Sequence, residues 1–105
     1  MTTYRVELTP RAECELDEAA NWIASSAPET AQRWYWGFIS AMESLASYPR
    51  RCGLATEQSE FPYELRQLLY GRSRSYRAIF TIRDDTVTVL AIRHAKQADL
   101  SPSEV

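Results

Sequence analysis

The sequence predicts an α+β domain with the element order β-α-α-β-β-β, in which a helical hairpin packs on one face of a small antiparallel-rich sheet. Two stretches in the first half of the chain repeat apolar residues at helical spacing, and each begins beside a proline. Three stretches between residues 63 and 94 alternate apolar and polar residues and are rich in β-branched and aromatic side chains. A shorter alternating stretch precedes the helices and predicts a first strand.

The chain has 105 residues, of which 45% are hydrophobic, so we expect one folded domain over residues 1–105. It contains no run of 18 apolar residues, and MTTYRVELTP lacks the charged-then-apolar pattern of a signal peptide. We therefore expect no membrane contact and a cytoplasmic location.

The first strand and first helix lie at the start of the chain. Tyr4–Leu8 alternates and predicts a strand. Thr9 suits a helix N-cap and Pro10 suits the first helical position. The apolar stripe then predicts a helix from Pro10 to Ser25 or Ser26; its members are Ala12, Leu16, Ala19, Ala20 and Ile23.

The second helix restarts at Pro28 and must stop before Pro49, because a proline disfavours helix in the residue before it. Its apolar face includes Trp34 and Phe38. Residues 49–62 then show turn formers and charges without a clear period, which predicts a long loop.

Three further strands are predicted at Tyr63–Tyr70, Ser75–Arg83 and Thr86–His94, and residues 96–105 are expected to be a loose tail or a last helical turn. Consecutive strands should pair as an antiparallel meander, with the first strand joining along an edge. Since the helices cover only one face, we expect the other face to be open. A β-bulge in the last strand would swap the faces of its side chains.

The charges are unevenly distributed along the chain. The net charge is −2, yet Arg66 to Lys96 contains seven basic and two acidic residues, and eleven of the twelve basic residues are arginine. The planar guanidinium suits bidentate contact with carboxylate or phosphate. The overall acidity nevertheless argues against strong non-specific nucleic-acid binding.

Arg66 and Arg77 are the main candidates for an anion-binding surface on the open face. Each lies between apolar neighbours in a predicted strand, so each needs a partner. For each of them that partner is either a phosphate or carboxylate ligand or an internal salt bridge, which for Arg66 would be to Glu64 or Glu57. Arg72 and Arg74 flank a turn and are expected to be solvated.

The end of the last strand carries further candidates, Arg93, His94 and Lys96. His94 is either a general acid or base, with Glu57 as the loop carboxylate nearest to such a role, or it merely ends the strand. Trp36 falls off the apolar stripe of the second helix, so it either belongs to a partner surface or packs against the core or the helical hairpin. Two cysteines and one histidine do not make a four-ligand zinc site, and we expect no metal and no cofactor.

The chain resembles the small RelE/ParE toxins of type II toxin–antitoxin modules over roughly residues 4–97. The residues that carry this resemblance, in their order of appearance, are YRVELTPRAECELDEAANWIA, SAPETAQRWYWGFISAMESLASYP, ELRQLLYG and YRAIFTIRDDTVTVLAIRHAK. The length of the apolar helices and the HAK ending are more similar to the ParE branch.

The resemblance implies two modes of action. ParE-like members poison DNA gyrase, whereas RelE-like members cut mRNA on the ribosome with a few charged or aromatic residues, for which Arg66, Arg77 and His94 are the matching catalytic candidates. A third hypothesis is a binding module that has lost toxicity. All three imply a hetero-oligomer with an antitoxin, and we expect an acidic or amphipathic antitoxin segment over Arg66, Arg77 and the Arg93–Lys96 end.

Overall fold

The computed structural model describes residues 3–105 and has the predicted order of elements. The two helices, α1 and α2, span Pro10–Ala24 and Pro28–Glu43. The four strands, β1 to β4, span Arg5–Leu8, Arg66–Tyr70, Tyr76–Arg83 and Thr86–His94. The predicted fold class is confirmed, with β2 starting three residues later than the sequence indicated.

The strands form one mixed sheet in the order β1-β4-β3-β2. β2, β3 and β4 are an antiparallel meander, and β1 joins the edge of β4 in parallel. β1 pairs with β4 only from Thr86 to Val89, so within residues 3–105 the rest of that edge of β4 has no neighbouring strand. This edge forms one wall of a groove whose other wall is α1.

Both helices lie on one face of the sheet and bury their apolar stripes there. Thr9 caps α1, since its hydroxyl accepts the N–H of Ala12 at 3.1 Å, and Pro10 takes the first helical position as predicted. The strand residues expected on this core face, Tyr76, Ala78, Phe80 and Ile82, all contact it. The buried residues of this core are Ala12, Leu16, Phe38, Met42, Leu45, Ala78, Phe80, Val87, Val89 and Ile92.

Tyr70 explains why α2 contains a glycine. Its ring stacks on Phe38 with centroids 4.3 Å apart, and its hydroxyl donates to the carbonyl oxygen of Trp34 at 2.9 Å. A Cβ atom at Gly37 would lie 2.2 Å from that hydroxyl oxygen. Only glycine lets the helix backbone approach β2 this closely.

The sheet face opposite the helices, here called the second face, is covered, so the prediction of an open face is wrong. Ile79 and Ala91 are apolar and point to this face, and the chain's own loop and tail bury them. The loop before β2 contributes Ala55, Phe61 and Leu65. Ala55 and Phe61 lie in a loop without a strand or helix period, which is why the pattern of the sequence did not reveal them.

The C-terminal tail completes the cover of the second face. Leu100 is buried in the same cluster, and the chain ends in a 3-10 turn at Pro102–Glu104. Ser101 and Glu104 form a reciprocal capping box at this turn. Residues 98–105 are therefore docked on the domain.

A β-bulge in β4 decides which face each later side chain takes. Ile79 pairs with Ala91 but Phe80 pairs with Val89, so Leu90 is the extra residue. Val89 lies on the helix face, whereas Ala91 contributes to the second face. The bulge that the sequence analysis allowed for is present.

Candidate partner-binding site

Arg66 and Arg77 do not share a surface. Arg66 pairs with Phe80, whose side chain points to the helices, and directly opposed residues point to the same side of a sheet. Arg77 is an odd number of positions from Phe80 in the same strand and points to the second face. The expectation that one open face displays both guanidinium groups is therefore wrong.

Arg66 ties the loop to the edge strand β2. Its Nε donates to Glu64 Oε1 at 3.0 Å, and its Nη1 donates to the carbonyl oxygen of Cys52. Its side chain is largely buried. The salt bridge to Glu64, one of the two partners considered from sequence, is the one that forms.

Arg77 is held by a buried carboxylate on the second face. Its two terminal nitrogens donate to Glu57 at 2.7 and 2.6 Å in a bidentate pair, and Gln67 Oε1 accepts a further bond at 3.0 Å. Asp99 of the tail adds a weaker ion pair at 3.4 Å. Both terminal nitrogens of the guanidinium are thus bonded to groups of its own chain.

Glu57 is 2% exposed and remains ionised at neutral pH. Burial raises the pKa of its carboxyl, but the hydrogen bonds from Arg77 and from the Leu100 N–H, together with the charge of Arg77, lower it to about 2. Such a group is a poor general base near neutral pH. It also lies on the second face with Arg77, while His94 lies on the helix face, so the suggested pairing of Glu57 with His94 is wrong.

Arg93 lies directly across from Arg77 on the second face and is 8% exposed. Its Nη2 donates to Glu104, whose carboxylate also accepts from Arg11 Nη2 at 3.0 Å. Its Nε has no partner among the residues that the structure describes. Two neighbouring guanidinium groups are tolerated here because Glu57, Asp99 and Glu104 surround them.

The unpaired edge of β4 forms a groove with α1, here called the His94 groove, with a volume of about 590 Å³. Side chains satisfy the free strand edge: Glu15 accepts the N–H of Ile92 at 2.9 Å, and Gln97 accepts the N–H of His94 at 2.7 Å. The lining residues are Glu15, Glu18, Ala19, Trp22, Tyr76, Ile92, His94, Lys96 and Gln97.

The imidazole of His94 is fixed in the wall of this groove. Its Nδ1 accepts the backbone N–H of Lys96 at 3.0 Å, so the neutral ring carries its proton on Nε2. Its ring meets Tyr76 edge-on with centroids 4.8 Å apart. His94 and Lys96, both predicted site residues, are therefore brought together in one concave surface.

Two large aromatic side chains remain exposed on the helices. Trp36 is 64% exposed and touches Tyr35 edge-to-face, at 5.1 Å between ring centroids. Trp22 is 73% exposed and lines the His94 groove. Sequence reasoning missed Trp22, although it lies off the apolar stripe of α1 as Trp36 lies off that of α2.

Within residues 3–105, no group of three or more His, Cys, Asp or Glu side chains is placed to hold a metal ion. None of the helices in this range is long and apolar enough to cross a membrane.

Comparisons with known proteins agree with this architecture. The family model for the ParE toxin of the type II toxin–antitoxin system parDE matches residues 6–99. A search of curated proteins gave no significant match.

Two solved structures share the fold. A structure of the chromosomal ParDE toxin–antitoxin system from P. aeruginosa superposes with a TM-score of 0.73 at 20% identity, covering 90% of this chain and 98% of that one. The RelBE2 toxin–antitoxin complex from Mycobacterium tuberculosis superposes with a TM-score of 0.57 at 21% identity, covering 92% and 97% of the two chains. Since the family model spans nearly the whole sequence, the chain belongs to the ParE toxin family of type II toxin–antitoxin systems.

Proposed function

We propose that this toxin inhibits growth by binding DNA gyrase without catalysing a reaction, and that a cognate antitoxin neutralises it in a hetero-oligomeric complex. The observation that carries the proposal against a ribonuclease is the separation of the candidate catalytic residues. Arg66 and His94 lie at different places on the helix face, and Arg77 lies on the second face.

RNA cleavage by acid–base chemistry requires its groups within hydrogen-bond reach of one phosphate. Arg77 is bound bidentately to Glu57, and Arg66 is bound to Glu64 and a loop carbonyl oxygen. A phosphate would have to compete with these carboxylates for either guanidinium. His94 is the one candidate of the three that lines a groove.

The charge of the molecule supports the same choice. Docking on ribosomal RNA depends on basic groups that neutralise phosphates. The chain has a net charge of −2, and Arg66, Arg77 and Arg93 are all paired internally. A protein target such as gyrase does not require a positive surface.

We place the contact surface at the His94 groove, with Trp36 as a second contact. Exposed tryptophans beside charged groups are typical of residues that dominate protein interfaces. Trp22, His94 and Lys96 supply this composition within one concave surface. The antitoxin segment predicted from sequence is accordingly expected over the His94–Lys96 end, because Arg66 and Arg77 are already paired.

Controlled expression with two readouts tests the mode of action. We expect induction to trigger the DNA-damage response, and the purified chain to inhibit supercoiling by purified gyrase. Rapid translation arrest with mRNA cut at codons would assign the RelE-like activity instead. Unaffected growth under either readout would leave the third hypothesis, a binding module without toxicity.

Single variants test the proposed surface. Trp22→Ala and His94→Ala should each weaken gyrase inhibition by about thirtyfold or more, since truncating an interface anchor costs about 2 kcal/mol or more. Tyr48→Ala and Arg72→Ala are the matched aromatic and charged controls, because both residues are exposed and lie outside the groove. Equal loss of inhibition in controls and test variants would contradict the assignment.

The antitoxin is tested separately. A neighbouring reading frame of about 70 to 90 codons would encode a partner of typical small-domain size. Its co-expression should restore growth, and the two chains should co-purify. Growth that stays inhibited with that product present would contradict its role as the neutralising partner.

A further inference from the structure

We propose that the C-terminal segment, residues 99–105, is an internally bound acidic peptide that exchanges with an acidic segment of a partner protein on the second face. The site beneath it, here called the tail site, consists of Arg11, Arg93 and the apolar cluster around Ile79 and Ala91. The proposal rests on the contacts of the tail and is independent of any action on gyrase.

The first anchor of the tail is an apolar side chain in a pocket. Leu100 is fully buried in a cluster with Phe61, Leu65, Ile79 and Ala91. Its backbone N–H donates to Glu57 Oε2 at 2.8 Å, which fixes the direction of the segment. A buried leucine with an oriented backbone amide is a typical peptide-docking contact.

The second anchor is a carboxylate held between two guanidinium groups. Glu104 accepts from Arg93 Nη2 and from Arg11 Nη2, and its carbonyl oxygen accepts from Arg11 Nη1 at 2.9 Å. The capping box with Ser101 sets the distance between this anchor and Leu100. The tail therefore presents a leucine and, four positions later, a glutamate.

Little else holds the tail in place. Residues 95–99, Pro102, Ser103 and Val105 are exposed, and the ion pair from Asp99 to Arg77 is long at 3.4 Å. Segments with few buried contacts open at a lower free energy than the core. We therefore expect the tail to open while the sheet and both helices stay folded.

Opening would leave a site that favours an anionic peptide. Arg93 is 92% buried by the docked tail and its surroundings, and its Nε still has no acceptor among the described residues. Departure of Asp99 and Glu104 removes two carboxylates, while Arg11, Arg77 and Arg93 remain. A further carboxylate from a partner would accept the hydrogen bond of Arg93 Nε, which Glu104 leaves unpaired.

The apolar centre of the site favours a peptide over a nucleic acid. The leucine pocket is apolar, and Glu57, which accepts the Leu100 N–H, stays ionised beside it. A phosphate backbone would place charge where the site buries a side chain, and Glu57 would repel it. The occupant is therefore an acidic segment with an aliphatic residue followed four positions later by a carboxylate.

A peptide competition experiment tests the exchange. The probe is a fluorescently labelled peptide, ADLSPSEV, that copies residues 98–105. We expect it to bind a full-length Leu100→Ala/Glu104→Gln variant about tenfold or more tighter than the unmodified chain, because the variant's own tail competes less well. A peptide with glutamine in place of its glutamate should bind the variant about tenfold more weakly.

Hydrogen exchange on the unmodified chain provides a second, independent measurement. The amides of Leu100 and Ser101 should exchange faster than those in the middle of β3, since the tail opens without the sheet. Equal rates would overturn the proposal, as would a folded variant that binds the peptide no better than the unmodified chain. If circular dichroism shows that the variant is unfolded, the hydrogen-exchange rates of the unmodified chain decide alone.

Tail exchange between two copies is the competing arrangement. It would appear as a dimer of the unmodified chain that the peptide dissociates into monomers. That result would assign the tail site to a second copy and overturn the proposal of an acidic partner, whereas a monomer that binds the peptide supports it.

Discussion

The two faces of the sheet are buried by different means. The helix face carries a continuous apolar and aromatic core, in which Trp34 meets Phe38, Tyr70 and Tyr76 within 6.1 Å between ring centroids. The second face buries a smaller apolar cluster beside three arginine–carboxylate ion pairs that involve Arg77 and Arg93. One face is held by elements with regular periods, the other by a loop and a tail.

We infer that the helices stay on their face of the sheet, whereas the tail that covers the second face can be exchanged. No partner segment can replace the large apolar side chains that the helices bury against the sheet. The helix face should therefore open only when the whole domain unfolds. An acidic tail paired with arginines is replaceable by another acidic segment of similar shape. Four predictions test whether the faces differ in this way, in order of decreasing effect.

The largest effect is expected at the centre of the helix face. Phe80→Ala should destabilise the domain by about 4 kcal/mol, because it leaves a cavity in a close-packed core. The measurement is the free energy of unfolding from denaturant titration. Arg83→Ala, an exposed change in the same strand, should leave the denaturation midpoint unchanged. A smaller loss than in the second-face variants below would reverse the ranking of the two faces.

The ion pair beneath the tail is expected to rank second. Glu57→Gln should cost about 3 kcal/mol, because it leaves the buried guanidinium of Arg77 without its main counter-charge. The same titration measures it, with Glu60→Gln as the exposed control in the same loop. If Glu57→Gln lowered the free energy of unfolding no more than Glu60→Gln, Gln67 and Asp99 would be sufficient partners for the guanidinium of Arg77.

The tail anchor should have a smaller effect. Leu100→Ala should destabilise the domain by about 2 kcal/mol, since an exposed segment adjusts more readily around the lost volume than a core strand does. Val105→Ala, an exposed residue of the same tail, is the control. A loss as large as that of Phe80→Ala would mean that the tail is an integral part of the core and would weaken the comparison.

Acid sensitivity is ranked last because this difference does not change stability at neutral pH. The pKa of Glu57 falls from 4.5 to about 2 on folding, so its contribution is present above the unfolded value and is lost as the pH falls through the folded value. The unmodified chain should therefore lose stability from about pH 4.5 to about pH 2 more steeply than Glu57→Gln. Parallel curves of unfolding free energy against pH would contradict the assigned ion pair.

The candidate site was only partly predictable from sequence. His94 and Lys96 were predicted from their place at the strand end, and both line the groove. The bulge at Leu90 was needed to decide that His94 faces α1 while Arg93 faces the tail. Trp22 lies off the apolar stripe of α1 just as Trp36 lies off that of α2, yet it was not predicted as a site residue. Whether these residues bind a target stays a prediction.

The arginines show why composition alone misled. Seven basic residues between Arg66 and Lys96 predicted a basic surface, because only two acidic residues lie in the same stretch. For two of them the partner lies in another part of the chain: Glu57 is 20 residues before Arg77, and Glu104 is 11 residues after Arg93. Folding pairs and largely buries Arg66, Arg77 and Arg93, whereas the other four basic residues of this stretch stay exposed.

The sequence by itself determined the order of the six elements, the caps and prolines that start the helices, and the core face of β3. These features depend on local periodicity and backbone chemistry, which a short stretch of residues fixes on its own. Only the tertiary structure decided that the second face is closed, which arginines are neutralised and where a groove remains. Those outcomes depend on the geometry that brings distant side chains together, and no local pattern encodes that geometry.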